Sequence, residues 1–233
     1  MISIPSKPHV TGSQAYTGGK RDDGRPALSA LFEYNTAYSM TYVGLIALFM
    51  HEVMPGHHLH SVMTDLNLDL DVEATMPTMC SPQVALWEGV AQNALNFLFD
   101  DREEAYRLVG KIFDVDPKDV EIQYAIEALI DAAKHDGSIL GQREGWSEGG
   151  VKAYARDMCA LTDPLPNKIW GWGKHPLIGP MYGVTYDYGN KKVARAIRDH
   201  GRLAVARVGY NTKGLVDIET FRKVLEGELE PLR

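Results

Sequence analysis

A group of ionisable residues follows the most apolar stretch of the chain. Residues 51–58 are His-Glu-Val-Met-Pro-Gly-His-His, and the residues 42–50 before them carry no charge. A helix of that composition should be buried all round, and unpaired imidazoles and a carboxylate are costly to bury at its end. A divalent cation removes this cost. A His-Glu pair followed by another His is typical of zinc hydrolases, in which the Glu is free to act as a base. The pattern therefore predicts a metal centre with His51 as a ligand and Glu52 as the catalytic base.

The second histidine ligand requires a break in the helix. In an unbroken helix, residues four apart share a face, but position 55, where the second His would stand, is proline. His57 lies about 240° round an ideal helix from His51, and His58 returns to the same face about 10 Å along the axis. Because Pro55 and Gly56 are residue types that interrupt helices, we expect them to bring His57 to the metal. His58 is then the alternate ligand, or a neighbour that contacts the ligands.

Glu88 is the candidate for a third ligand. It borders the apolar stripe of a helix that is predicted to begin at Pro82, and Trp87 precedes it directly. A carboxylate in that position requires a cation. Two His and one Glu, with water in the fourth position, form a known catalytic zinc set. We therefore expect Zn²⁺ as the cofactor, held by His51, His57 and Glu88.

The elements around these residues are predicted to be mainly helical. Residues 1–27 have loop chemistry with at most a short strand over residues 9–15, and residues 32–36 form a brief strand or a turn. Periodicity predicts about seven helices, over residues 39–54, resuming at 57–66, then 82–99, 102–113, from 116 onward, 146–161, 191–209 and 218–225. Residues 65–81 are expected to be a connection. Residues 162–188, rich in Pro and Gly, are expected to be one or two long loops of the kind that is often functional. The fold class is therefore mainly α with little β, and residues 1–233 form one helical domain.

Composition excludes several classes of partner. The net charge of −7, with scattered Lys and Arg, argues against nucleic acid and against anionic membranes. Two cysteines and no C-x-x-C pair exclude a disulfide framework and a thiolate metal site. The apolar run is too short to span a bilayer, and the N-terminus lacks the pattern of a signal peptide. These features indicate a cytoplasmic location without a membrane partner.

Six segments in series also resemble a known family. They are Tyr34-Asn35-Thr36, residues 51–60, Glu88-Gly89-Val90, Gly145-Trp146-Ser147, residues 186–189 (Tyr-Asp-Tyr-Gly) and residues 216–225. Their order is similar to that in the bacterial proteins of domain-of-unknown-function family 885, which look like zinc metallopeptidases of the gluzincin type. The chain departs from the family pattern at Val90, where a Trp is usual.

The resemblance implies a gluzincin-like catalytic domain that is part of a longer family architecture. It supports His51 and His57 as ligands, Glu52 as base and Glu88 as the third ligand. It also implies that Tyr186 or Tyr188 donates a hydrogen bond to the oxyanion.

The function expected from the sequence is a zinc-dependent hydrolase, in the first place a metallopeptidase acting on a peptide or a small amide. One alternative is a metal-dependent hydrolase of non-peptide esters or amides. Another is a helical domain with a structural metal site, but such a site is closed by four protein ligands and would leave Glu52 without a role. Endo or exo cleavage and the oligomeric state remain open at this point.

Overall fold

The protein is mainly α-helical, as the sequence predicts, with one two-stranded sheet in its described part. The computed structural model describes residues 12–36, 40–67, 81–176, 179–210 and 216–230. The elements in chain order are β1 (Gly12–Tyr16), β2 (Ala30–Tyr34), α1 (Tyr42–Glu52), α2 (His57–Asn67), α3 (Pro82–Gln92), α4 (Ala94–Leu98), α5 (Arg102–Phe113), α6 (Pro117–Ser138), a π-helical turn (Ile139–Arg143), α7 (Glu148–Asp157), α8 (Leu165–Gly173), α9 (Gly179–His200), α10 (Arg202–Gly209) and α11 (Ile218–Leu225). Across these described ranges, no helix is both long and apolar enough to cross a membrane.

The two strands form an antiparallel hairpin that packs against α1 and α2. Their register runs from Gly12 opposite Tyr34 to Tyr16 opposite Ala30. Phe32 of β2 meets Phe49 of α1 edge-on, with ring centroids 5.6 Å apart. The short strand expected within residues 9–15 is β1, and of the strand or turn expected over residues 32–36 the structure shows a strand, β2. Both lie beside α1, which ends at Glu52.

Local capping chemistry explains where several helices begin. An N-cap side chain with an oxygen accepts a hydrogen bond from an otherwise unpaired backbone N–H in the first turn. This occurs at the residues Thr41 (α1), Asp101 (α5), Asp116 (α6), Ser147 (α7) and Asp217 (α11). At α3, Ser81 stands at the N-cap position without such a bond, and Pro82 supplies the preset first turn.

Helices α3 and α9 cross with their backbones in contact, which fixes the helix that carries Glu88. A Cβ atom added to Gly189 would lie 2.0 Å from the carbonyl oxygen of Ala85, and one on Gly89 would lie 2.4 Å from that of Gly189. No side chain fits at this crossing. Buried apolar residues close the core around it, including Leu86, Val90, Val193, Val205 and Phe221.

The prediction of long loops over residues 162–188 is wrong. Helix α8 and the first half of α9 occupy most of that range. Pro164 and Pro166 lie at the start of α8, where a missing backbone N–H costs nothing. Gly183 lies inside α9, and a Cβ there would be 2.6 Å from the carbonyl oxygen of Lys134. These Pro and Gly residues therefore start a helix and permit a close helix contact instead of breaking helices.

Two predicted helices are divided in the structure. The helix expected over residues 82–99 is interrupted at Asn93, between α3 and α4. The helix expected over residues 191–209 begins earlier, at Gly179, and is broken at Gly201, whose φ of 83° favours glycine. Most of the connection expected over residues 65–81 lies outside the described residues.

Candidate metal centre

The break between α1 and α2 has the form that the spacing of the histidines requires. Helix α1 ends at Glu52, and residues 53–56 turn before α2 begins. The N–H of Gly56 donates to the carbonyl oxygen of Met50 over 3.0 Å. A Cβ on Gly56 would lie 1.7 Å from the carbonyl oxygen of His51, so any other residue is excluded from this turn. The predicted interruption at Pro55 and Gly56 is confirmed.

His51, His57 and Glu88, called the triad below, bring three potential ligand atoms together. The Nε2 atoms of His51 and His57 lie 3.1 Å apart, and Glu88 Oε2 lies 3.3 Å from the first and 3.5 Å from the second. A tetrahedral zinc site with bonds of about 2.0–2.1 Å has ligand atoms about 3.4 Å apart. The residues present therefore fit one zinc ion with little movement of the three side chains.

The charge state of the triad also favours a cation. Burial alone would raise the pKa of Glu88, but the imidazoles of His51 and His57 outweigh burial and hold the pKa of this carboxyl far below its usual range. Burial would lower the pKa of His57, but Glu88 beside it raises the pKa overall. Glu88 Oε2 is buried, and no donor in the described ranges is aligned to hydrogen-bond with it. A metal ion satisfies such an oxygen.

Glu52 lies next to the triad without belonging to it. The three ligand atoms that converge are those of His51, His57 and Glu88. Burial raises the pKa of Glu52, while the two histidines oppose this effect and Glu88 adds to it. The backbone N–H of Gln14 in β1 donates to this carboxylate. A half-buried carboxylate with a raised pKa, beside a candidate metal position, suits proton transfer better than metal binding.

The structure separates the two candidate tyrosines of α9. The ring of Tyr186 lies nearly parallel to that of His51, with centroids 6.2 Å apart, and it also contacts the ring of Trp172. Tyr188 lies about 200° further round the helix. It is 44% exposed, and Lys192 Nζ lies 5.3 Å from its ring centroid. The structure therefore brings Tyr186, and not Tyr188, beside the triad.

His58 is not part of the triad. Its ring packs near Tyr16 of β1, with centroids 6.0 Å apart. Burial lowers the pKa of His58, and its Nδ1 atom has no hydrogen-bond partner among the described residues. Of the two adjacent histidines, His57 is the one that the break brings to His51 and Glu88.

Sequence reasoning missed three polar residues that build this site. Asn93 is buried, and its amide donates to Gly89 and to Asn190, which joins α3 to α9 close to Glu88. His60 and Tyr210 are buried against the break between α1 and α2. For His60 the available signal was its position one turn after His57. Asn93 and Tyr210 carry no spacing signal.

Comparison with known proteins adds no relative from which a role could be transferred. A scan against protein-family models, a search of curated proteins and a search of solved structures each find no match. The geometry and chemistry of the triad and its neighbours therefore carry the functional assignment.

Proposed function

We propose that the protein is a zinc-dependent hydrolase that cleaves peptide bonds. The observation that carries the proposal is the triangle formed by the half-buried His51 and His57 and the buried Glu88, whose edges match a tetrahedral zinc site. Glu52 stands beside this triangle and is not part of it. Three protein ligands leave a fourth position for water or substrate, as in catalytic zinc sites.

The neighbouring residues have complementary roles in this proposal. Zn²⁺, when bound, supplies a Lewis acid that lowers the pKa of water and polarises a carbonyl group. Glu52 takes the proton of the attacking water and passes it to the leaving amine, a role that its raised pKa supports. Tyr186, packed on His51, donates a hydrogen bond to the oxyanion that forms at the carbonyl.

The hairpin supports an extended peptide as substrate. Thr17 donates to Ser29 across the hairpin, and the antiparallel pattern then directs the N–H and C=O groups of Gly12, Gln14 and Tyr16 away from β2. One of these groups, the Gln14 N–H, reaches Glu52. Backbone groups that face outward beside the proposed base offer pairing to an extended peptide chain. From the residues of the sequence motif alone, we also propose that the chain belongs to domain-of-unknown-function family 885.

A structural metal site is the second candidate, and the triad argues against it. A structural zinc site is closed by four protein ligands. The group found within the described residues has three, and the nearby carboxylate of Glu52 stands outside it. A hydrolase of esters or small amides would use the same centre and differs from a peptidase only in the substrate that is bound.

The decisive experiment is Glu52→Gln. The variant should keep zinc at the wild-type level and lose turnover by about 10²- to 10⁴-fold, because it removes the base and no ligand. Zinc is measured by mass spectrometry after dialysis, and turnover with a library of fluorogenic peptides. Glu127→Gln is the matched control, since Glu127 is also half-buried with a pKa raised by burial but lies on α6 outside the triad.

Three outcomes would change the proposal. Equal loss of zinc and turnover would make Glu52 a ligand. Wild-type protein that cleaves an ester panel and no peptide would be a non-peptide hydrolase. Wild-type protein that binds zinc through four protein ligands, measured by X-ray absorption, and cleaves neither would hold a structural site.

A further inference from the structure

The C-terminal end of α10 holds the break between α1 and α2 at two points. The hydroxyl of Tyr210 donates a hydrogen bond to the carbonyl oxygen of Pro55. The Nε2 atom of His60 lies 2.7 Å from the carbonyl oxygen of Gly209, and because a carbonyl accepts, Nε2 carries the proton. Tyr210 and His60 are both buried. The adjacent residues Gly209 and Tyr210 thus form hydrogen bonds with the chain on either side of Gly56.

These two bonds flank the ligand whose position depends on the break. Pro55 lies two residues before His57, and His60 lies three residues after it, on the next turn of α2. A bond at Pro55 fixes the path of the turn, and a bond at His60 fixes the rotation of α2 about its axis. Together they determine where the His57 imidazole points.

The same contacts extend to the helix that bears the third ligand. The His60 ring packs on Trp87, with centroids 5.5 Å apart, and on Tyr210 at 5.1 Å. Tyr210 also packs on Phe97 at 5.7 Å. We call these four residues, His60, Trp87, Phe97 and Tyr210, the aromatic hub. Trp87 lies on α3, directly before Glu88. The hub therefore connects the turn between α1 and α2 to the helix that carries the third ligand.

We propose that Tyr210 is a positioning residue of the metal centre, which presets the Pro55–Gly56 turn so that His57 meets His51 and Glu88. This inference rests on the proposed metal centre. Without the hydroxyl, the carbonyl of Pro55 would lose its partner, and a buried unpaired acceptor is destabilising. The turn can relieve that cost by rotating toward other donors, and this rotation moves His57 out of register with the other two ligands.

The test compares Tyr210→Phe with Tyr154→Phe. Each variant loses one tyrosine hydroxyl that donates a hydrogen bond, in the second case to Asp136, away from the triad. Zinc affinity is measured by competition with a chromophoric chelator. Tyr210→Phe should bind Zn²⁺ about 10- to 100-fold more weakly, the range found when groups that orient metal ligands are removed. Tyr154→Phe should bind it as the wild type does.

Cobalt substitution separates positioning from simple loss of stability. The visible spectrum of bound Co²⁺ depends on coordination geometry and ligand type. Tyr210→Phe should change this spectrum, whereas Tyr154→Phe should lower the melting temperature and leave the spectrum unchanged. If Tyr210→Phe does not fold, His60→Leu, which removes the other bond, should show the same weakened affinity and altered spectrum.

The outcomes are distinct. Wild-type zinc affinity and an unchanged Co²⁺ spectrum in both Tyr210→Phe and His60→Leu would overturn the positioning role. Wild-type protein that binds no zinc would overturn the metal centre and this inference with it. Wild-type protein that binds zinc but hydrolyses nothing would overturn the proposed reaction, and the affinity comparison would still decide the role of Tyr210.

Discussion

Two histidines of α2, one turn apart, have opposite electrostatic surroundings: His57 is half-buried and His60 is buried. His57 belongs to the triad, where burial alone would lower its pKa but Glu88 raises it. His60 belongs to the aromatic hub, where burial lowers its pKa to about 4. The helix and the residue type are the same. The partners that α3 and α10 bring to each ring decide whether it favours a positive charge.

The same difference distinguishes the proposed metal site from the aromatic hub. The triad combines a buried, ionised carboxylate with two imidazoles and contains an oxygen without an aligned donor. In the hub, one N–H of His60 meets the Gly209 carbonyl, and aromatic rings cover its faces. Removal of metal should therefore disturb the triad strongly and the hub only through the turn that they share.

Removal of the carboxylate that distinguishes the triad should have the largest effect. Glu88→Ala should weaken zinc binding by more than about 100-fold, beyond the range for groups that only orient ligands. Free zinc at a concentration about 1,000 times its dissociation constant stabilises a folded protein by about 4 kcal/mol. A chelator should consequently lower the melting temperature of the wild type and leave that of Glu88→Ala nearly unchanged. An equal decrease in both proteins would show that Glu88 is not a ligand.

The second largest effect should be a difference in zinc content between His57→Ala and His58→Ala. His57→Ala should lose zinc, because it removes a vertex of the triangle. His58→Ala should retain zinc, because the ring of His58 packs near Tyr16 instead. Zinc content is measured by mass spectrometry after dialysis of both variants. Loss from His58→Ala with retention in His57→Ala would exchange the two assignments and show that α1 and α2 meet at a different angle.

The crossing of α3 and α9 offers a smaller perturbation that acts through the backbone. Gly189→Ala should destabilise the protein by about 1–3 kcal/mol or more and weaken zinc binding, since the added methyl group meets the Ala85 carbonyl and displaces the helix of Glu88. Gly171→Ala in α8 is the control. Its Cβ would meet nothing within 4 Å, so alanine there should stabilise the helix by up to about 1 kcal/mol. Denaturant unfolding and zinc competition measure both effects. Normal zinc affinity in Gly189→Ala would show that the crossing supports the fold alone.

The sequence predicted the parts of the site that depend on local chemistry. The break at Pro55–Gly56 and the start of α3 at Pro82 follow from helix geometry and from the preference of proline for the first turn, so they are visible in one segment. The expectation that the helix before residue 51 is buried all round is wrong, because Tyr42, Leu45 and Phe49 of α1 are exposed. The grouping of Glu88 with the two histidines followed from the cost of a carboxylate in an apolar stripe.

The parts that the sequence did not predict depend on contacts between distant segments. Gly183 resembles a loop residue until α6 is placed beside it. Tyr210 meets Pro55 across 155 residues of chain. No period or spacing encodes such a pairing, and the same is true of the exposed position of Tyr188.

The smallest effect concerns the uncharged histidine of the hub and appears only as the pH falls. His60 has a pKa near 4 in the folded protein and an ordinary value near 6.5 when unfolded. Above pH 6.5 the imidazole is neutral in both the folded and the unfolded state. The contribution of His60 to the free energy of unfolding therefore does not change with pH in that range. Below pH 6.5 the unfolded chain takes up a proton that the folded protein does not, and stability is lost until pH 4. Between pH 7 and pH 5 this loss is about 2 kcal/mol.

His60→Gln keeps a donor for Gly209 and cannot titrate in this range. The variant should be less stable than the wild type at pH 7, because it loses ring packing, but the gap should narrow by about 2 kcal/mol at pH 5. Urea unfolding of both metal-free proteins at the two pH values measures the gap. If the difference in free energy of unfolding between wild type and variant is the same at both pH values, His60 takes up a proton in the folded state as it does in the unfolded chain. His57 and His60 would then differ in their positions but not in their preference for the charged form.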